Sequence, residues 1–400
     1  MKLLAKLIAG IVVGIIVGGL YYLVGPEGTT GAIMEFIVRL FVTLESILGA
    51  FIFFTIPFII LFFIASGISQ IGTGSGKVVG ATLGVAYVST LGAGLMAYAV
   101  ASFIMPRITE GSSVPEEGSA LSPFIEFELP AIIDILPALV LAFVVGIVMN
   151  MLKLELMIKF FDQGKDITEF VIEKVIIRIL PFYIAGVFAG MAATGTVFDT
   201  LKVFGVVLLV AIIMHWVWLL VQYTVAGSLI KKNPFAMLKN MLPAYFTALG
   251  TMSSAATIPV TLERTKTNGI RNRIADFVIP LCATIHLSGS TITIVSCSIA
   301  VMTILPGYDI PGLWEMLVVI LLLGVVMIAA PGVPGGAIMA ASGVLMTNLG
   351  FNEAAVAFMI ALYVAQDSFG TATNVTGDGA VAAVIDAYEQ KLNKNQVDSE

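Results

Sequence analysis

The sequence predicts an all-α polytopic membrane protein with eight transmembrane helices and two oppositely oriented re-entrant helical hairpins. Hydrophobic residues make up 58% of the 400 residues and charged residues only 12%, whereas soluble proteins are about one quarter charged. Uncharged stretches that are long enough to cross a bilayer recur along the chain. The 39 glycines and 16 prolines are many for uninterrupted spans. Together these features exclude a soluble enzyme, a disordered chain and a nucleic-acid partner.

The first six spans are predicted from the uncharged stretches 7–26, 46–76, 78–106, 135–152, 179–198 and 203–230. The second stretch exceeds one span, so its helix is tilted or begins earlier, from residue 33. Basic residues are concentrated near the N-terminus, at 153–178, at 231–273 and at 391–394. The positive-inside rule therefore places both termini in the cytoplasm and the acidic segment 107–129 outside.

The C-terminal half has two matching pairs, each made of a hairpin and a polar helix. Hairpin 1 is predicted at about 234–262, because the polar, proline-flanked centre of 240–262 cannot face lipid. A broken helix follows at 270–306, with its break at His286–Ser290. Hairpin 2, at about 312–348, is interrupted at 331–336, and the last helix runs over 353–387. Such inverted repeats indicate a transporter binding site, and the alternative is a set of kinked helices packed through small residues.

The last helix has a polar stripe. At about 100° per residue, Asp367, Thr371, Asn374 and Asp378 share one helix face, with Gly370 at its edge. Carboxylates at membrane depth favour a functional role, and here one acid can bind an organic ammonium and the other a metal cation. Alternatively, each aspartate is paired internally. The segment 373–377 is expected to unwind and present its carbonyls.

The middle of hairpin 1 suits an anionic group. Two half-helices that meet at Ser253 and Ser254 would direct a helix N-terminus and hydroxyls at a carboxylate. A zwitterion between these serines and Asp367 would be neutralised at both ends, so the sequence favours an amino acid as substrate. His286 is compatible with three roles: holding a backbone carbonyl, binding a cation or carrying a coupling proton.

Three motifs resemble the dicarboxylate/amino acid:cation symporters, the glutamate-transporter family. The run at 251–259 (TMSSAATIP) is similar to the serine-rich hairpin of that family. The segments 332–335 (GVPG) and 337–339 (AIM) resemble its second hairpin, and 374–378 (NVTGD) resembles its last-helix motif. The order and spacing match from about residue 243 to residue 387, and the upstream spans fit less specifically.

The resemblance implies a homotrimer with an elevator mechanism in the plasma (inner) membrane of a prokaryote. Residues 1–230 would form mainly the trimerisation scaffold, with the third span (about 76–106) joining the transport domain. Residues 231–390 would form that mobile domain, and 388–400 a cytoplasmic tail. The implied partners are a small-molecule amino acid and membrane lipid.

The resemblance also assigns the site residues. Asp367 would bind the substrate's ammonium, and Asn374 with Ser253 and Ser254 its α-carboxylate. The expected contacts with substrate are Ser253, Ser254, Ser290, Val333, Gly336, Asp367, Gly370, Thr371 and Asn374. One sodium site would use Asp378, Asn374 and backbone near Cys282, and another Thr284 with carbonyls near 327–330; His286 is the remaining candidate metal ligand.

Departures from the family pattern narrow the function. Gly370 stands where carriers of acidic substrates have an arginine, which disfavours a second carboxylate and favours a neutral amino acid, as in the serine/threonine branch. The family motif NMDGT reads HLSGS at 286–290, which removes the acid and amide of a third sodium site and leaves two. The alternatives are a proton-coupled carrier that uses His286 and a carrier of acidic amino acids or dicarboxylates. An intramembrane hydrolase is disfavoured, because the sequence shows no activated nucleophile of the kind that such an enzyme needs.

Overall fold

The computed structural model describes residues 2–70, 76–109, 121–127, 129–195, 197–328, 330, 332 and 334–397. These residues form α-helices joined by short connections and contain no β-strand. Within them, seven helical segments are long and apolar enough to cross a membrane. This agrees with the all-α membrane class predicted from composition.

The described residues of the N-terminal half form seven α-helices and one π-helical turn, and those of the C-terminal half form seven α-helices. The first set is α1 (Lys2–Val24), α2 (Gly28–Gln70), α3 (Gly76–Thr109), α4 (Ile135–Leu152), α5 (Glu155–Val171), a π-helical turn (Ile172–Ile176), α6 (Ile177–Ala193) and α7 (Val197–Ile230). The second set is α8 (Pro234–Thr251), α9 (Ser254–Thr267), α10 (Asn272–Ile285), α11 (Ser288–Ile304), α12 (Leu313–Met327), α13 (Gly336–Leu349) and α14 (Glu353–Val397).

The predicted spans agree with these helices, with one omission. Helix α2 begins at Gly28, which confirms that the second span starts well before residue 46, and α4 has the predicted bounds. The connecting segment 153–178 instead contains α5, which is continuous with α6 through the π-helical turn. Its charged and apolar residues alternate at helical spacing, so it lacks the uncharged run by which a span is recognised. Most of the acidic connection between α3 and α4 lies outside the described residues.

The predicted interruptions in the C-terminal half are present. Helix α8 starts with Pro234 after the N-cap Asn233, whose side chain accepts hydrogen bonds from two backbone N–H groups. It ends at Thr251, the C-cap Met252 has a left-handed conformation (φ 55°), and α9 begins two residues later at Ser254. Helices α10 and α11 are separated at His286. Helices α12 and α13 are joined by 328–335, where Pro331 and Pro334 leave helix continuation unfavourable.

The last helix differs from the prediction in two ways. It is continuous through 373–377, so the expected unwinding there is wrong. Tight packing accounts for this, since the Tyr223 hydroxyl donates to the Thr376 carbonyl (2.7 Å). The helix also continues through residue 397, beyond the predicted end at 387, because 388–395 (YEQKLNKN) contains neither glycine nor proline and several strong helix formers.

The helices pack into two groups. Helices α1, α2, α4, α5 and α6 contact one another, while α3 and α7 pack on α11 and α14 together with α8–α10 and α12. Helix α13 packs on α12 and α14 and also contacts α2 and α4. The allocation of 1–230 mainly to a scaffold remains a prediction, and the contacts of α7 favour placing it with the C-terminal helices. At the far end of α14, Arg271 bonds Asp386 (2.7 Å) and Glu389 (2.9 Å), which ties α14 to the start of α10.

Candidate functional site

The three interrupted elements and the last helix meet at one small buried cavity of about 20 Å³. The starts of α9, α11 and α13 reach it, and α14 passes alongside. A cavity of this size has room for roughly one water molecule and not for an amino acid. It is lined by Met252, Ser254, Leu287, Ser290, Gly332, Ala337, Tyr363, Asp367, Thr371 and Asn374. Five of the predicted substrate residues (Ser254, Ser290, Asp367, Thr371 and Asn374) are therefore brought together here.

Asp367 is the acidic group of the cavity and is 3% exposed. Its Oδ1 accepts a hydrogen bond from the Tyr363 hydroxyl (2.9 Å) and a longer one from Thr371 (3.4 Å). Its Oδ2 accepts the backbone N–H of Gly335 (2.7 Å), which precedes α13. The carboxylate is thus held by hydrogen-bond donors and has no ion-pair partner among the described residues.

Asn374 holds the start of α11. Its Oδ1 accepts the backbone N–H groups of Gly289 (2.7 Å) and Ser290 (3.3 Å), and its Nδ2 donates to the Ser290 hydroxyl (2.9 Å). This side chain therefore satisfies N–H groups that have no intrahelical partner. Binding of a substrate carboxylate by Asn374 would need part of this arrangement to open.

The two serines of the first interruption have different positions. Ser253 is the N-cap of α9, with its hydroxyl accepting the Ala256 N–H (3.3 Å) and donating to the Gly332 carbonyl (3.3 Å). Ser254, the first residue of α9, is buried and lines the cavity. The contact between Ser253 and Gly332 joins the α8–α9 turn to the α12–α13 connection above the cavity.

The second interruption contributes mainly backbone. Gly335 has a positive φ of 75°, a conformation that glycine adopts without strain, and this orients its N–H towards Asp367. Gly336 begins α13 and is buried, and Ala337 lines the cavity. Val333, a predicted substrate contact, lies outside the described residues.

A second polar centre lies three turns further along α14. Asp378 Oδ1 is 2.9 Å from His286 Nδ1, and both side chains are buried. The other imidazole nitrogen, Nε2, is 2.9 Å from the Ser89 hydroxyl of α3 and 3.2 Å from Gln222 Nε2 of α7. Gln222 Nε2 also donates to Ser89 (2.8 Å). His286 thus connects the break between α10 and α11 with three other helices.

The remaining candidate metal ligands lie on α10. The Cys282 carbonyl accepts the His286 N–H (2.9 Å), and the Thr284 hydroxyl donates to the Leu281 carbonyl (2.9 Å). Thr284 lines a second cavity of about 260 Å³, which also contacts Ala255 and Gly332. Because Gly332 borders both cavities, the second one adjoins the small cavity where the interrupted helices meet.

Gly370 does not line the small cavity. A Cβ atom at this position would lie 3.4 Å from the backbone of Gly289 and Ser290. Gly289 in turn faces Gly370, since its own Cβ would lie 2.4 Å from the Gly370 carbonyl oxygen and 2.6 Å from Thr373 Cβ. The two glycines therefore allow α11 and α14 to approach closely, and Gly370 contributes to the site through packing.

Replacing Gly289 by alanine is expected to separate the start of α11 from α14. The added methyl group meets backbone, which cannot rotate away, so overpacking should cost about 1–3 kcal/mol and displace Asn374. The thermal stability of the purified protein should fall. The matched control is Gly205→Ala on α7, where no atom lies within 4 Å of the new Cβ; equal stability of the two variants would contradict the close approach.

Three polar residues near the site carried no recognised signal in the sequence. Ser89 and Gln222 are single polar residues within long apolar helices, and such residues commonly satisfy their own backbone. His215 contacts the Gly289 carbonyl (3.0 Å) and Thr293 (3.2 Å). A spacing of seven residues on α7 puts His215 and Gln222 on one helix face, and this is the pattern that could have identified them.

The fold and the buried polar site together define a multi-pass membrane protein with interrupted helices around a polar centre. A sequence model of the sodium:dicarboxylate symporter family matches residues 3–388. The chain belongs to this family, which confirms the resemblance stated above. It is a family of symporters, so the prediction that the protein is not an enzyme is also confirmed.

Curated relatives include transporters of two kinds. The chain is 26% identical to excitatory amino acid transporter 1 of Mus musculus over 249 residues, which cover 59% of this chain and 45% of that protein. It is 30% identical to the serine/threonine transporter SstT of Acinetobacter baylyi over 222 residues, which cover 54% of this chain and 55% of that protein. The matched region thus spans about half the length of these relatives.

Proposed function

We propose that this protein is a secondary active symporter that carries a neutral amino acid, coupled to sodium ions. The observation that carries the proposal is the position of Asp367. A buried carboxylate without an ion-pair partner among the described residues lies beside a cavity that the N-termini of three helices also reach. An isolated charge at this depth is costly, and a substrate ammonium would supply the missing partner.

The opposite side of the cavity suits a carboxylate. Helix N-termini carry partial positive charge and free N–H donors, and Ser254 and Ser290 add hydroxyl donors at the starts of α9 and α11. A zwitterion would thus meet an acid at one end and donors at the other. The cavity must widen by movement of a hairpin before a substrate fits.

For sodium, we propose two sites. Asp378 and Asn374, with backbone near Cys282, would form one, and Thr284 with carbonyls near residues 327–330 the other. Membership of a sodium:dicarboxylate symporter family supports sodium as the co-transported ion. His286 contacts Asp378 through its Nδ1 atom, and this contact supports the prediction that His286 belongs to the cation site. Sodium would have to share or displace this contact.

The proposed transport cycle is an elevator movement across an inverted-repeat fold. Helices α8–α9 and α12–α13 would be re-entrant hairpins, and the spans would be the seven candidate segments together with α4. The mobile domain would comprise α3 and α7–α14, and the scaffold α1, α2 and α4–α6; the sparse contacts between these groups support this division. Assignment of α7 to the mobile domain is the one change to the predicted boundaries.

We further propose a homotrimer in the inner membrane of a prokaryote, with both termini in the cytoplasm. Apolar side chains exposed on α1 and α4, including Ile16 (54%) and Val144 (54%), require lipid or a second subunit as their environment. The trimer is what the family resemblance implies, and chemical cross-linking in native membranes would test it.

A neutral substrate is favoured over an acidic one. Within the described residues, neither lysine nor arginine lines the small cavity, so a second carboxylate would have no cationic partner. The name of one relative, a serine/threonine transporter, supports this choice. An acidic amino acid or a dicarboxylate is the alternative, and the family name supports it.

A ligand screen tests the substrate and the ion together. Small neutral amino acids are expected to raise the melting temperature of the purified protein in sodium and not in choline, because ligands that bind the folded state stabilise it. Concentrative uptake into proteoliposomes should then require an inward sodium gradient. Uptake that ignores sodium and follows a pH gradient would favour the proton-coupled alternative. Strong competition by aspartate for uptake would favour the alternative in which the substrate is an acidic amino acid or a dicarboxylate.

A further inference from the structure

Tyr363 is the bulkiest residue at the substrate cavity, and neither the sequence motifs nor the family assign it a role. It lies on α14 one turn before Asp367, is fully buried, and lines the small cavity. A tyrosine at this depth is costly unless its hydroxyl finds a partner. Its hydroxyl is bonded within the site itself rather than to a neighbouring backbone carbonyl.

The Tyr363 hydroxyl is bonded to the acid of the site. It donates to Asp367 Oδ1 (2.9 Å), and Tyr363 and Ser290 line the same small cavity. Ser290 in turn accepts a hydrogen bond from Asn374 Nδ2 (2.9 Å). The two hydrogen bonds, one at Asp367 and the other at Asn374, therefore both lie at the wall of this cavity. Loss of the phenolic hydroxyl would remove one donor from Asp367 and free that oxygen to rotate.

The ring of Tyr363 also determines how much space is available. Gly370, where a missing side chain could have enlarged the pocket, faces the backbone of Gly289 and Ser290 instead. The other cavity-lining side chains from α14 are smaller than a tyrosine, and Ala337 opposes them from α13. Widening by movement of a hairpin leaves this wall in place, because Tyr363 belongs to the same helix as Asp367.

We propose that Tyr363 is a specificity-determining residue that orients Asp367 for the substrate ammonium and restricts the substrate to small side chains, of the size of alanine, serine or threonine. This inference rests on the proposed function, since it needs an amino acid in this cavity. On this proposal, the side-chain volume of Tyr363, and not the absence of a side chain at Gly370, determines which neutral amino acids the cavity accepts.

Two variants separate the hydroxyl from the ring. Tyr363→Phe keeps the volume and removes the donor, so the affinity for alanine and serine should fall about tenfold, the effect of losing a hydrogen bond to a charged group. The preference for alanine over leucine should stay unchanged. Tyr363→Leu shortens the side chain, so leucine should gain at least tenfold relative to alanine. The matched control is Tyr98→Phe, which removes a tyrosine hydroxyl bonded to the Pro311 carbonyl away from the site.

The measurement is equilibrium binding of alanine, serine and leucine to the full-length protein in sodium. An unchanged order of affinities in the Tyr363→Leu protein would overturn the size limit, and wild-type affinity in Tyr363→Phe would overturn the orienting role. If the leucine variant does not fold, Tyr363→Met replaces it as the shorter side chain. Absence of amino-acid binding by the wild-type protein would instead contradict the proposed function, so the two failures are distinguishable.

Discussion

Asparagine in place of Asp367 is expected to abolish amino-acid transport. The change removes the negative charge that would neutralise the substrate ammonium, and loss of one partner of a buried charge pair typically costs about 2–5 kcal/mol. Binding should therefore weaken by ~30-fold or more. The protein should still fold, because the asparagine Oδ1 can accept the Gly335 N–H in place of the carboxylate, and the Tyr363 hydroxyl can rotate to accept a hydrogen bond from Nδ2.

Binding and uptake of a labelled neutral amino acid check this expectation. The matched control is Asp276→Asn, an exposed acid of α10 that pairs with Lys266 (2.5 Å) outside the site, and it should transport normally. The direction of the effect also identifies the substrate class. If the substrate were an anion without an ammonium group, Asp367 would repel it, and the asparagine variant would transport better than the wild-type protein.

The parts of the site that the sequence predicted are those with a local signature. Asp367 and Asp378 are ionisable residues in an apolar helix, and helical spacing alone places them on one face with Asn374. The breaks at Met252 and His286 follow from local glycine, proline and serine content. All of these features depend on residues close together in the chain, so one sequence is enough to locate them.

The parts that the sequence did not predict depend on packing between distant segments. Nothing near Ser89 or Gln222 indicates that His286, which is 197 residues from Ser89, will be their partner. The same limit explains the error at 373–377, where the local sequence favours unwinding but Tyr223 of a distant helix bonds the Thr376 carbonyl. Gly370 is predicted to contact the substrate, whereas in the structure it faces Gly289 and does not line the small cavity.

Asparagine in place of Asp378 is expected to remove the dependence on sodium. In the proposed cation site Asp378 is the only carboxylate, so the variant retains no formal charge to balance the ion after its dehydration. Sodium should no longer raise the melting temperature, and uptake driven by a sodium gradient should fall to background. Asp309→Asn, in the connection between α11 and α12, is the control and should keep wild-type coupling.

A second substitution at the same centre distinguishes a sodium carrier from a proton carrier. His286→Gln retains a side chain that can donate to Asp378 and meet Ser89, but it cannot carry a proton. In a sodium symporter this variant should keep sodium-driven uptake above that of Asp378→Asn. In a proton symporter it should lose all uptake driven by a pH gradient, while sodium would have no effect even on the wild-type protein. Because His286 and Asp378 are in direct contact, any change at one disturbs the other, and the identity of the driving ion follows from comparing the two variants rather than from either alone.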